Sequence, residues 1–414
     1  SYKLNYQGVS NDNYLKIHNL SNSSSLINDE SLLTSEFNYS KKIDKSTFLE
    51  ADFIAYEDLS KSNNDRFQYI LPNFIFTKNL PLDKSYNGNF QFQSYGFQKS
   101  YDTNKYETLL INDFLFNSSN IINKNGLITN YDLLIKNFNS YTENSSAYEN
   151  KEDYEVFGSF LYKASMPMSK TTELSNNYLK PIVSLKYSPN NTKDISNKDT
   201  RLSYDNIFSL NRIGTNEIVE GGKSIALGME YEIRDTNEKK LLGLSMANSI
   251  SQKNNTNLPS KSKLNEKRSD VVGKAFFAPN NILTLDYNFS YDNNFKSSNY
   301  DSLSANINLN AFSTNFNFLS EDGNIGDNEV FSNSSNIKFS DEKSMKFNIT
   351  KDLKRDFTEY YNLIYQYKSD CLSASVEYNK KFYSDGSLKP EKSLFFTIKF
   401  IPFAEFRQAA DINN

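Results

Sequence analysis

Residues 283–291 read LTLDYNFSY, and the reading of these nine residues decides the fold. Leu283, Leu285, Tyr287, Phe289 and Tyr291 hold the odd positions, with Thr284, Asp286, Asn288 and Ser290 between them. Successive side chains of a strand point to opposite faces, so this order makes one face apolar and the other polar. Working outward, the same alternation appears at Leu303, Ala305, Ile307, Leu309 and Ala311, after which the phase flips to Phe312, Phe316 and Phe318. A flip within so few residues predicts a tight hairpin.

The pattern returns at Leu49–Ala55, 183–187, 225–233, 242–246, 345–349, 361–367, 374–378 and 394–400. Strands of about ten residues recurring every twenty or so give about 20–22 strands, each long enough to cross a bilayer when tilted. Turn-rich stretches such as SNDN at 10–13, SPNN at 188–191 and SDGS at 384–387 separate them. A soluble sandwich would also alternate, but that many strands would need several packed cores. One sheet with an apolar outside and a wet inside accounts for the uniform alternation together with a hydrophobic content of only 37%. The expected fold is therefore all-β: a large antiparallel transmembrane β-barrel, with residues 1–414 as a single barrel domain.

Composition narrows the function classes. With 28 Tyr and 32 Phe the chain is too aromatic for disorder, and without Trp any aromatic belt must use those two residues. A net charge of −4 from 46 basic and 50 acidic residues leaves no electrostatic footprint for nucleic acid. One cysteine, Cys371, and one histidine, His18, exclude a Cys/His zinc site and an intrachain disulfide. No apolar run approaches the length of a membrane helix. The chain opens on a strand-like YKLNYQ with no basic and apolar leader, so a mature protein or a fragment is expected.

Few motifs point to chemistry. His18, in NYLKIHNL, lies on a polar phase without a nucleophile motif, so no catalytic residue is assigned. EGGKS at 220–224 resembles the end of a phosphate loop, but residue 217 is Glu where glycine is needed, and a strand follows in place of a helix. The acidic stretch 320–329, SEDGNIGDNE, lacks the spacing of a calcium loop and reads as a solvated hairpin. No metal and no cofactor is expected. The anomaly is 190–222: a long polar segment with no period, ending in NRIGTNEIVEGG with Arg212, Glu220 and two adjacent glycines.

Three segments together resemble one family. The opening VSNDNYLKIHNLS with LPNFIF at 71–76, the NIFSLNRIGTNEIVEGG of 206–222, and DCLSASVEYNKKFYSDGSLKPEKSLFFTIKF at 370–400 are similar to the C-terminal barrel region of the LptD family of lipopolysaccharide-assembly proteins. Asn206, Phe208, Asn211, Arg212, Val219, Glu220, Gly221 and Gly222 match the family pattern, whereas Gly214, Thr215, Glu217 and Ile218 depart from it. The loss of an arginine at 218 puts one expected ion pair in doubt.

The resemblance implies an outer-membrane barrel of about 26 strands in a Gram-negative bacterium. It implies a periplasmic jelly-roll domain upstream that receives lipopolysaccharide from an LptA-like bridge, an LptE-like lipoprotein plug, and insertion by the barrel assembly machinery. The lipid would be inserted into the outer leaflet among the membrane lipids, leaving sideways between the first and last strands. No bond is broken, so the chain is not an enzyme. Pro390 matches the proline before the final strand, so 391–401 would flank the exit, with Leu394, Phe396, Ile398 and Phe400 facing lipid. Cys371 would pair with a cysteine upstream of residue 1. A general porin for small solutes shares the strand pattern but not the matching segments. Residues 190–222 are expected to fold toward the lumen, with Arg212 and Glu220 hydrogen-bonded there and Gly221–Gly222 turning the chain into a strand at 223–234.

Overall fold

The computed structural model describes residues 1–17, 31–81, 87–145, 150–321, 328–354, 356–381, 391–400 and 404–411. Among these, 23 strands join one antiparallel sheet. Two of them, Ile121–Ile122 and Met168–Thr171, only lengthen hairpin tips. The remaining 21 form the wall, within the range the alternation predicts. Among the described residues, Tyr2–Asn5 pairs only with Leu32–Lys42, and Ala404–Asp411 only with Glu391–Phe400.

The deciding stretch is the strand Leu283–Tyr291, with the same bounds as its alternation. The phase flip after Ala311 is a hairpin between Ser298–Asn308 and Phe312–Glu321, closed by Leu309 N donating to Phe312 O at 2.7 Å. Register carries the two faces across the sheet. Ile307, Thr314, Ser335, Phe347, Leu363, Tyr378 and Leu394 succeed one another on one face, while Asn306, Asn315, Ser334, Asn348, Asn362 and Asn379 do so on the other. The apolar face carries ring pairs between neighbouring strands, including Phe92 with Phe114 (5.0 Å), Phe316 with Phe331 (4.9 Å) and Tyr361 with Tyr378 (5.9 Å). Such cross-strand pairs stabilise a sheet and present aromatic surface outward. This is the architecture of a large antiparallel transmembrane β-barrel, lipid facing the apolar side.

The connections differ between the two ends of the strands. Turns such as 235–239, 278–282 and 309–311 are short, whereas 189–221 and 252–270 leave the opposite end and are long. In outer-membrane barrels the short turns are periplasmic and the long loops extracellular.

One expectation is corrected. Residues 391–401 are not the last strand: Glu391–Phe400 is paired with Leu372–Lys381 on one side and Ala404–Asp411 on the other, from Ser393↔Asp411 to Phe400↔Ala404. Phe406 continues the apolar phase opposite Ile398. Phe396, Ile398 and Phe400 are exposed on that phase, with Leu394 half-buried beside them. Pro390 and His18 lie outside the described residues.

Candidate functional site

The segment 189–221 connects two strands that are themselves paired, Asn176–Ser188 and Gly222–Arg234, with Ser188 opposite Gly222. It lies against the polar face of the sheet. Its end is fixed by backbone geometry: Gly222 has φ +100°, and a Cβ on Gly221 would sit 2.0 Å from the carbonyl oxygen of Asn190. Only glycine permits both the turn and that approach.

Eight residues before Glu220 stands Arg212, 2% exposed, and the two form a bidentate pair: Nε donates to Oε2 at 2.7 Å and Nη2 to Oε1 at 2.5 Å. Lys186, from the wall, donates to Glu220 Oε2 at 2.7 Å. Arg212 also donates to Ser249 Oγ (2.6 Å) and Ser224 Oγ (2.9 Å), both on the wall. Burial by itself would raise the Glu220 carboxyl, but the charges of Arg212 and Lys186 outweigh it and hold the group well below the usual carboxylate range. A buried ion group of this kind repays desolvation only when its remaining donors are satisfied, and the serines do that.

A second clamp holds Asn216. Its carbonyl oxygen accepts from Lys136 Nζ (2.7 Å) and from Tyr95 OH (2.8 Å), and Lys136 in turn pairs with Asp113 at 2.6 Å. Val219 packs beside it into Leu109, Ile111, Phe138 and Phe157. Near the segment's start, Asn190 Oδ1 accepts from Gly158 N at 2.9 Å, and Lys193 meets Asp153 and Glu155.

Between these clamps lies an apolar core. Ile195, Leu202, Ile207 and Ile213 of the segment pack against Ala226, Ala247 and Val272 of the wall. Phe208 reaches the wall at Gly228, where a Cβ would stand 2.6 Å from its ring. Asn206 and Asn211 act locally: Asn206 bridges Ser203 N (2.9 Å) and Arg201 O (3.0 Å), and Asn211 donates to Thr215 O at 2.7 Å. Cys371 is a free, exposed thiol at a strand end, remote in sequence from this cluster.

The sequence reading missed the second layer. The connection 252–270 folds over 189–221, contributing Leu258 and Leu264 to the same core. Thr192 Oγ1 accepts from both Gly221 N (2.9 Å) and Asn255 Nδ2 (2.8 Å), and Ile195 N donates to Asn257 O at 2.8 Å. Lys261 pairs with Glu321 at 2.5 Å and with Asp199, while Arg201 also meets Glu321 and stacks on Tyr300 at 3.6 Å. Asp270, fully buried, accepts from Asn299 (2.6 Å) and Ser290 (3.0 Å) at Oδ2, and its Oδ1 has no partner among the described residues. Burial pushes its carboxyl up against the opposing effect of those hydrogen bonds. Two isolated leucines in an otherwise polar stretch were the available signal.

On the side of the segment nearer the short turns, Tyr204 and Phe208 line a cavity of about 740 Å³ together with the wall. Lys180 with Glu230, Lys240 with Glu232 and Lys274 with Asp205 pair within its lining. Tyr204 OH donates to Glu230 at 2.9 Å, and burial with that carboxylate pushes the phenol far above its ordinary value.

One sheet of membrane-length strands, apolar outside and holding a clamped inserted segment on its polar face, defines an outer-membrane transport barrel. Residues 1–353 match the family described as LptD: LPS transport system D. The chain belongs to that family, whose work is lipopolysaccharide transport at the outer membrane of Gram-negative bacteria and not catalysis. A comparison with curated proteins finds none that matches. Among solved structures, a mutant ferric enterobactin receptor (PfeA) of Pseudomonas aeruginosa in complex with enterobactin is similar at a TM-score of 0.40 and 8% identity, covering 92% of this chain and 72% of that one. The siderophore receptor PirA of Pseudomonas aeruginosa gives 0.42 and 8%, over 92% and 72%.

Proposed function

We propose that this chain is the membrane wall of a lipopolysaccharide translocon. The 189–221 segment lies in the lumen as a fixed internal plug, and lipid leaves sideways between the first and last strands. The observation that carries the reading is the coincidence of the family match with a matched motif that is structurally anchored: Arg212, Glu220 and Gly221 each meet a partner that a surface loop would not need. In this reading Leu394, Phe396, Ile398 and Phe400 line the lipid side one strand in from the C-terminal edge. Asn206, Phe208 and Asn211 shape the plug surface that an LptE-like lipoprotein meets. An LptA-like bridge delivers cargo through an N-terminal domain outside this chain, Cys371 is bonded to that domain, and the barrel assembly machinery inserts the whole of about 26 strands.

A general solute porin is less well supported, because the two folded-in connections occupy space that a diffusion pore leaves open. Depletion of the native protein, followed by measurement of lipopolysaccharide at the cell surface, tests the transport reading. Loss is expected, and unchanged surface lipopolysaccharide would overturn it. A verified disulfide across the seam in the full-length protein should block export, and undiminished export would remove the lateral route.

A further inference from the structure

The strand Glu152–Ser165 overhangs one of its neighbours. On one side all fourteen of its residues pair with Ile128–Glu143, but on the other only six pair with Asn176–Ser188, from Ile182↔Ser165 to Tyr187↔Phe160. After Ser188 the chain turns into the 189–221 segment, so at the extracellular end residues 152–159 have no strand on that side among the described residues. Alternate residues carry the backbone groups that face the gap. Ser188 Oγ donates to Gly158 O (2.6 Å), Gly158 N to Asn190 Oδ1 (2.9 Å), and Asn190 Nδ2 to Val156 O (3.0 Å). The Asn190 carboxamide thus stands in for one residue of a strand, and the cover ends there. The N–H of Val156 and both backbone groups of Tyr154 continue the series and meet no partner among the described residues. The comparable overhang of Lys240–Ser251 is filled by its own connection, with Ser269 N donating to Ser249 O (2.9 Å) and Ser251 N to Lys267 O (2.8 Å). On the outer face Tyr154 and Val156 are 67% and 61% exposed, as open as Phe406 (61%) on a terminal strand. On the inner face Asp153 and Glu155 share one cation, Lys193.

We propose that residues 152–156 are an edge onto which an extended, basic peptide segment of a partner adds as a strand from the extracellular side. An added strand satisfies the open N–H and C=O groups and lays alternate side chains over Tyr154 and Val156. Its inward side chains stand beside Asp153 and Glu155, whose two charges meet a single lysine, so a further lysine or arginine completes the balance. A second copy of this chain does not fit. Barrels in one membrane stand the same way up, so a two-fold axis along the normal makes their tilted strands cross and does not pair them antiparallel. The shortness and acidity of the edge keep it from indiscriminate pairing. The inference does not depend on the transport reading.

The test is fluorescence anisotropy of the labelled peptide acetyl-KVKVTVK-amide titrated with the purified full-length protein in detergent, beside acetyl-EVEVTVE-amide. Saturable binding of the basic peptide is expected, with the acidic one about tenfold weaker. With lysines inward, the valines stand opposite Tyr154 and Val156, and their nitrogens face the edge. Methylating the valine nitrogens should therefore abolish binding, whereas methylating the lysine backbone nitrogens should spare it. Tyr154→Pro removes the open N–H at a position where proline fits, because that nitrogen donates to nothing, and should weaken binding about tenfold. Tyr154→Thr keeps the N–H and should bind within about threefold of the native protein. Folding is checked by heat-modifiable migration, and where the proline variant does not fold, the two methylated peptides decide on the native protein. No saturable binding, equal binding of the two methylated peptides, equal affinity for the acidic peptide, or unchanged affinity in folded Tyr154→Pro would overturn the edge.

Discussion

The polar face of this sheet is built in two ways. Around the strands from Gly88 to Tyr291 it carries charges, the buried ones held by opposite charges on a connection or a neighbouring strand, as in Lys186–Glu220–Arg212 and Asp113–Lys136. From Ser298 to Lys381 it carries mainly carboxamides and hydroxyls, and Asn306, Asn315, Ser334, Asn348, Asn362 and Asn379 form one row across the strands with hydrogen bonds along it. The difference is one of interdependence. A buried charge is tolerable only while its partner stays, so the first region is locked to the connections it holds. A neutral amide keeps its neighbours whatever lies above it, so the second holds together from strand to strand.

The largest expected break in this comparison is Arg212→Met. It strands Glu220 beside a single lysine and empties two serine contacts, a loss of about 3–5 kcal/mol. Urea unfolding and protease cleavage within 189–221 would register it, and unchanged protection would contradict the clamp. Gly221→Ala should cost about 1–3 kcal/mol, because the Cβ must displace the backbone at Asn190. Cleavage should then begin near the segment's ends.

Acidity separates two carboxyls of opposite habit. Glu220 has its folded-state value depressed, so its contribution is present above the unfolded value of about 4.3 and lost as pH falls through the lower folded value. Protection of 189–221 should therefore hold from pH 7 to about 5 and decline only below about 4. Asp270 is raised, so its contribution is present below about 3.9 and lost as pH rises through the folded value. Asp270→Asn should stabilise the 252–270 connection at neutral pH by about 1 kcal/mol and flatten its pH dependence, both readable by hydrogen exchange. The smallest effect is Asn348→Val, which removes two row bonds on an open face, about 0.5–1.5 kcal/mol by urea midpoint. A loss as large as that of Arg212→Met would erase the distinction between the two regions.

Period two made the strands legible, down to the bounds of Leu283–Tyr291 and the hairpin after Asn308. The end of the inserted segment was legible as well, because a glycine pair has few structural uses. The partners of Arg212 were not: Ser249 lies 37 residues away, and only the register of Gly222–Arg234 against Lys240–Ser251 brings it under the guanidinium. The carboxamide row was hidden for the same reason, since each asparagine is one polar position in its own strand and becomes a row only through pairing. The strand Ala404–Asp411 escaped notice because Pro402 precedes it and Phe406 is its one large apolar group.

Every partner named for the two folded-in connections lies between Tyr95 and Glu321. The pairing of Arg212 with Glu220 and Ser224 closes short chain distances, the fast kind of contact to form, whereas the clamp on Asn216 must wait for Lys136 and Tyr95, 80 and 121 residues away. The packing of these connections on the wall can still be completed before the strands beyond 328 join, because none of the partners named lies beyond Glu321. Order of assembly, in this molecule, follows from where one hairpin keeps its excess chain.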